Sequence, residues 1–373
     1  MSDVKYLCGS CGLRYDLDPT LWRCSCGGIF DLEGVSAFSG LSLDLQPWSL
    51  WRYRSAIPVS EGSKAWTKVT MGEGMTPLIS DRVGALLKVD FLTPTQSFKD
   101  RGASVLVAKA IEMGVDRMVA DSSGNAGTSI AAYAARAGVA VEVFVPESTS
   151  EKKVGQLLSY GAIVHQIAGP REASAEAAIS RVENTSSFYA SHVYNPFFHH
   201  GTKTFVYEVW EQLGGKLGEV FLVPAGNGTL LLGVALGIRE LYEQGLVDSM
   251  PRLVAVQSER CAPLARLWRV RNSEPQTDEE VGPTVAEGIA IAKPPRAEQM
   301  LASVAQSNGT FVTVSDDEIL AARIDLLSQG IDVEPTGAVA FAGAQKWERS
   351  EGSPASSVVI ALTGAGLKSP LSR

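Results

Sequence analysis

Between residues 117 and 191 short apolar runs alternate with stretches of helical length. Residues 117–121, 140–145, 162–167 and 187–191 read as buried strands; 128–136, 152–160 and 172–182 read as helices, with Gly138 and Gly161 closing the first two. Parallel strands need a crossover of a dozen or more residues, and a helix supplies it. The alternation therefore implies a parallel sheet covered on both faces. A second alternation follows: helices at 202–213, 229–242, 316–328 and 336–347, and strands at 219–223, 253–257 and 357–362, with 271–281 as a polar loop. A short strand at 78–80 precedes both series. The expected fold is α/β with two parallel-sheet lobes and a small N-terminal head. The expected division is a head at 1–35, a large domain at 36–90 plus 195–373, and a small domain at 91–194.

Composition narrows the function classes. Acidic residues outnumber basic ones, 41 to 33, for a formal net charge of −8. That balance offers no basic patch for nucleic acid. No apolar run reaches the roughly 18 residues of a membrane span. The first residues, 1–6, carry charge and no apolar core, so no leader is expected and the protein reads as cytoplasmic. Cysteines in that compartment are thiols or metal ligands. Cys8, Cys11, Cys24 and Cys26 form two knuckles, each followed by glycine. Two thiolate knuckles suit one tetrahedral structural Zn2+ in a zinc-ribbon-like head, although the second has one intervening residue instead of two. The alternative is a loop with four free thiols. Trp48, Trp51 and Tyr53 then read as packing of the head onto the body.

Thr93-Pro94 forms a turn just before Ser97-Phe98-Lys99-Asp100-Arg101-Gly102, and Val105, Leu106, Ala110 and Ile111 follow near helical spacing. Lys99 thus stands at a helix N-terminus, where dipole and burial both favour the neutral amine. A neutral amine is what a Schiff-base lysine needs. The alternative is a solvated lysine beside two other surface charges. Ser122-Ser123-Gly124-Asn125 and Gly226-Asn227-Gly228-Thr229 both lie between a strand and a helix. Glycine lets the backbone approach an anion, and the helix amides point at it. Neither loop carries the Walker or dinucleotide spacing. An N-cap cluster or a plain turn is the alternative for each.

Together with Gly201-Thr202-Lys203-Thr204, Glu334-Pro335 and the tail Thr363-Gly364-Ala365-Gly366-Leu367-Lys368, these stretches resemble, in order, the fold-type-II (tryptophan synthase β-like) pyridoxal-phosphate enzymes. Within them they resemble the threonine synthase-like family, over roughly residues 70–370. The resemblance implies pyridoxal 5'-phosphate on Lys99, which is also the catalytic base. It implies cofactor contacts at Phe98, Asn125, Ala225, Gly226, Asn227, Gly228, Thr229 and Thr363, with the Asn125 amide on the phenolic oxygen. It assigns the substrate carboxylate to Ser122, Ser123 and Gly124. The Thr363 hydroxyl would face the pyridine nitrogen, and Glu334 would lie near the ring. A hydroxyl there leaves the nitrogen largely neutral, which favours elimination and replacement over transamination. A homodimer acting on a small amino-acid substrate is implied.

The substrate-phosphate positions depart from the family. Where the resemblance calls for Asn, Ser and Arg, this chain has His192, Val193 and Phe198. An arginine fork is the residue of choice for phosphate. Replacement cations are sought at Arg101, Lys152, Lys153 and above all Lys203, with His199 and His200 as an exposed pair. Glu287-Gly288-Ile289-Ala290 and Gly337-Ala338-Val339 resemble the amino-acid dehydratase branch. The expected reaction is elimination and replacement at Cβ or Cγ, best matched by O-phosphohomoserine to threonine. Dehydration of serine or threonine is the alternative, and a non-catalytic binder the third reading.

Overall fold

The computed structural model describes residues 4–40, 46–274, 282–351 and 355–369. The first three residues and most of the expected 271–281 loop lie outside the described residues. The chain forms two compact units: residues 1–74 with 99–202, and residues 75–98 with 203–373. The expected division puts 36–74 and 195–202 with the large domain and 91–98 with the small one, whereas the compact units group them the other way. The buried Glu73 carboxylate accounts for the first part. It accepts Trp51 Nε1 at 2.6 Å, Tyr133 hydroxyl at 3.2 Å and the Met71 N–H at 2.8 Å. The 49–73 connector is thereby tied to the helix Asn125–Ala137. Trp51 and Tyr53 are buried, as packing residues should be, while Trp48 is exposed under Arg52.

The first unit begins with a three-stranded antiparallel sheet in the order Arg14–Asp16, Lys5–Cys8, Phe30–Glu33. Its main sheet has four parallel strands in the order Ile163–Ile167, Ala140–Pro146, Arg117–Ala120, Phe188–Tyr189. The helix Lys99–Glu112 is buried along almost its whole length, and Phe197–Thr202 packs on it. That second helix comes close because Gly102 and Gly201 lack side chains. A Cβ on Gly102 would meet the Phe198 ring at 2.1 Å, and one on Gly201 would meet the Arg101 carbonyl oxygen at 2.0 Å. The expected helix at 202–213 is present as Thr204–Gln212, and Phe197–Thr202 is a separate short helix before it.

The second unit is built on a six-stranded sheet: Thr310–Val314, Arg252–Ser258, Val220–Pro224, Val358–Leu362, Leu86–Val89, Leu78–Ser80. The expectation of purely parallel sheets needs correction here, because Leu78–Ser80 runs antiparallel to Leu86–Val89 at the edge. Asp81 makes the reversal: its Oδ1 accepts the N–H groups of Val83 and Ala85. Leu86–Val89 is a strand beyond those expected, and a charged residue, Lys88, stands within its apolar run. Lys88 is nevertheless fully buried, 2.8 Å from Glu208 Oε2. The helices Pro263–Arg271 and Ala297–Gln306 and the strand Thr310–Val314 were also unread. Among the described residues no helix is long and apolar enough to cross a membrane.

Candidate active site

In the first unit Lys99 is the first residue of its helix and half-buried. Its Nζ lies 5.7 Å from the centroid of the Phe198 ring. His192 meets the same ring edge-on at 6.0 Å. Burial, with Lys99 and Arg171 nearby, holds His192 well below the usual imidazole range, so the ring is neutral. His192 Nδ1 has no hydrogen-bond partner among the described residues. Asp121, at the end of Arg117–Ala120, is raised by burial against the opposing pull of Arg171.

The loop after that strand turns sharply. A Cβ on Gly127 would lie 1.7 Å from the Ser122 carbonyl oxygen, so only glycine permits the turn. The Gly124 N–H meets Ser122 Oγ at 3.4 Å, and the helix Asn125–Ala137 starts directly after. The first-turn amides of a helix have no intrahelical acceptor, which suits such a terminus to an anion.

In the second unit the strand Val220–Pro224 runs through Ala225 into the loop 226–228 and the helix Thr229–Glu243. Gly228 caps that helix at φ +83°, in the left-handed region. A Cβ on Gly226 would lie 2.9 Å from Ile289 Cα, so the Glu287–Ile289 turn closes one side of the cup. Thr363 follows the strand Val358–Leu362. Its carbonyl accepts the Phe98 N–H at 3.0 Å, and Phe98 is the residue before Lys99. Thr363 is 3% exposed, and its hydroxyl has no hydrogen-bond partner among the described residues. Glu334 packs on the adjacent Gly364: a Cβ there would meet its Oε1 at 2.2 Å.

A family model described as "Pyridoxal-phosphate dependent enzyme" matches residues 69–364. The chain belongs to the pyridoxal-phosphate-dependent enzymes. Curated relatives place it in their threonine synthase-like branch. It is 33% identical to the threonine synthase of Methanosarcina acetivorans, over 91% of this chain and 85% of that one. It is 32% identical to that of Methanocaldococcus jannaschii, over 97% and 92%. Among solved structures, maize serine racemase shares the fold at a TM-score of 0.69, with 21% identity over 81% of this chain and 92% of that one.

The residues present fit this family's cofactor on two observations. A buried hydroxyl with no partner, on Thr363, suits a pyridine nitrogen that needs one. A glycine cradle at a helix N-terminus, which a Cβ at Gly226 would fill, suits a phosphate.

The cations expected near the substrate differ in burial and in partners. Lys203 is fully buried in the second unit, with Nζ 2.8 and 3.1 Å from the two Glu240 oxygens. Tyr207 also donates to Glu240. The amine is thus paired with a buried carboxylate. Arg101 is buried within its helix, and Lys152 and Lys153 are exposed in the first turn of the helix Glu151–Ser159. His199 and His200 are buried, at 5% and 6% exposure, not an exposed pair.

In the head, Cys8, Cys11, Cys24 and Cys26 present four sulfurs within 4.8 Å of one another. The Sγ atoms of Cys8 and Cys26 are 3.6 Å apart, as are those of Cys11 and Cys24. A Cβ on Gly28 would strike Cys8 Sγ at 2.5 Å, which explains the glycine after the second knuckle. Tyr15 hydroxyl, 3.2 Å from Cys24 Sγ, holds that thiol down at about 6. Sequence reasoning missed Tyr6, Tyr15 and Trp22 as support for this region, for no local pattern marks them.

Proposed function

We propose that Lys99 carries pyridoxal phosphate and moves the Cα proton of an amino acid, in an elimination and replacement at Cβ or Cγ. The observation that carries this is the Thr363 hydroxyl, buried beside the backbone that leads into Lys99. Bound pyridoxal phosphate supplies an electron sink for charge developing at Cα. The chain's own residues do the rest. The amides of 226–229 would hold the phosphate, and Thr363 Oγ1 would serve the ring nitrogen without ion-pairing it. Asn125 orients the phenolic oxygen, and the amides at 122–124 bind the substrate carboxylate. Lys99 Nζ would accept the Cα proton as general base.

The specific reaction we propose is O-phosphohomoserine to threonine, supported by the threonine synthases among the relatives. One observation favours a second reading, dehydration of serine or threonine to a keto acid. Where the resemblance calls for a phosphate-binding arginine this chain has Phe198, and Lys203 is paired with Glu240. Borohydride treatment followed by peptide mapping tests the cofactor site: the reduced adduct should lie on Lys99. Following phosphate and threonine from O-phosphohomoserine, against keto acid from threonine, decides between the two reactions. A protein that takes up no cofactor, or carries the adduct on another lysine, sinks the assignment.

We also propose a zinc ribbon in the head. A tetrahedron with Zn–S of about 2.3 Å has sulfur–sulfur edges of about 3.8 Å. The 3.6 Å separations match that size. A homodimer, which light scattering would test, and a cytoplasmic location complete the reading.

A further inference from the structure

The tetracysteine head and the catalytic lysine are connected by a continuous run of aromatic contacts within the first unit. Tyr15, whose hydroxyl touches Cys24 Sγ, packs edge-on against Phe30 at 5.3 Å. Phe30 stacks on Tyr6 at 4.9 Å, and Tyr6 meets Phe197 at 5.9 Å. Phe198, the next residue, is the ring over which Lys99 Nζ lies. Tyr6, Cys8, Cys24, Phe30, Phe197 and Phe198 belong to one buried apolar cluster. A second contact runs in parallel. Trp22 stands perpendicular to Tyr194 at 5.2 Å and to Tyr189 at 5.5 Å. Arg23 covers the other side of Trp22 at 4.3 Å and reaches Glu183 at 3.2 Å. The head therefore grips the 189–198 segment at two points. Between those points lies His192, the other group on the Phe198 ring.

We propose that the head is a positioning element for the wall facing Lys99: Tyr6 on Phe197 and Trp22 on Tyr194 hold the 192–198 segment, so amino-acid affinity depends on an intact head. The physical reason lies in what fills these contacts. A small knuckle of antiparallel strands buries little apolar surface of its own, so a metal tie would set the spacing of its strands. Tyr6 and Phe30 are paired through the strand that carries Cys8, which stands opposite Phe30. Loosening the thiolates therefore moves Tyr6, and a packed core transmits the displacement to Phe197. Phe198 and His192 shift with it, while Lys99, held by its own helix, stays. Tyr6 and Trp22 are thus positioning residues that do not touch the reacting atoms.

The inference rests on the reading of Lys99 as the cofactor lysine, and the test separates the two. L-Threonine serves as probe, because it is product in one proposed reaction and substrate in the other. Cofactor fixed by borohydride per chain is counted for the wild type, Trp22→Leu, Tyr6→Leu, Tyr6→Phe and chelator-treated wild type. Each is then titrated with L-threonine, following the absorbance of the bound cofactor. We expect equal fixed cofactor in all five. Half-saturation should rise at least about fivefold in Trp22→Leu, Tyr6→Leu and the stripped protein, and hold in Tyr6→Phe. Five about equal half-saturation values would overturn the proposal and leave the head a mere structural cap. If Tyr6→Leu does not fold, Trp22→Leu and the stripped wild type still decide. A wild type that fixes no cofactor overturns the reading of Lys99 and the proposal with it.

Discussion

The backbone N–H of Phe98 donates to the carbonyl oxygen of Thr363 at 3.0 Å. On either side, Ser97 bridges Gly364 and the Ala365 N–H donates to Gln96. The segment that leads into the lysine helix is thus laid against the end of a central strand. Two residues far apart in sequence acquire a fixed relation through main-chain bonds, which no side-chain substitution removes. The Thr363 side chain can then vary without disturbing the approach to Lys99. Thr363→Val should keep cofactor on Lys99 while lowering kcat roughly ten- to hundredfold, equivalent to about 1.4–2.7 kcal/mol. Thr363→Ser should retain most activity. Steady-state kinetics beside the borohydride count checks this; an unimpaired valine variant refutes the hydroxyl's role.

Gly228→Ala should weaken cofactor binding. The residue caps its helix at φ +83°, and a new Cβ would meet Met300 Sδ at 2.4 Å. Strain of about 1–3 kcal/mol is expected for such a backbone. The concentration of pyridoxal phosphate needed for half-reconstitution should rise about tenfold, read from the visible absorbance. No change in that concentration means the loop does not hold the phosphate.

Lys203→Ala should act on stability. It would leave Glu240, 8% exposed, without its cation. Removing one member of a buried pair costs about 3–5 kcal/mol. Chemical denaturation measures the loss. The double variant Lys203→Met, Glu240→Leu should recover most of it, since an apolar pair carries no unpaired charge. A Lys203→Ala protein of wild-type stability would restore Lys203 as a candidate ligand residue.

Glu142 predicts a pH dependence. Arg181, hydrogen-bonded at 2.8 Å, holds its carboxyl below the usual range despite burial, helped by His165 at 2.9 Å and Arg117 at 3.4 Å. The folded value is depressed, so this stabilisation is complete above the ordinary carboxylate value of about 4.3. It is lost as pH falls through the lower, folded value. Glu142→Gln should cost about 1–2 kcal/mol at neutral pH, discounted because its partners are partly exposed. The gap in Tm from wild type should close as pH falls. A gap that stays constant with pH would show that charge is not the cause.

Removal of metal gives a further check. Protein purified without chelator should hold about one zinc per chain. A metal-free protein with four reactive thiols in the native state would reject the zinc site.

Local pattern was enough for the strand–helix alternation from 117 to 191, the helix start at Lys99, both strand-to-helix loops and the four cysteines. Each depends on residues within a few positions of one another: apolar periodicity, a cap, a glycine that permits a turn. The tertiary structure decided what depends on distant partners. Lys88 looks like a break in a strand until Glu208 neutralises it inside the sheet. Lys203 sits in a motif that suggests a ligand, and Glu240 draws it into the core instead. His199 and His200 look exposed by composition, yet they are buried in a helix packed on the Lys99 helix. The contact of Tyr6 with Phe197 has no local sign at all, because packing chooses partners by shape and burial, not by nearness along the chain.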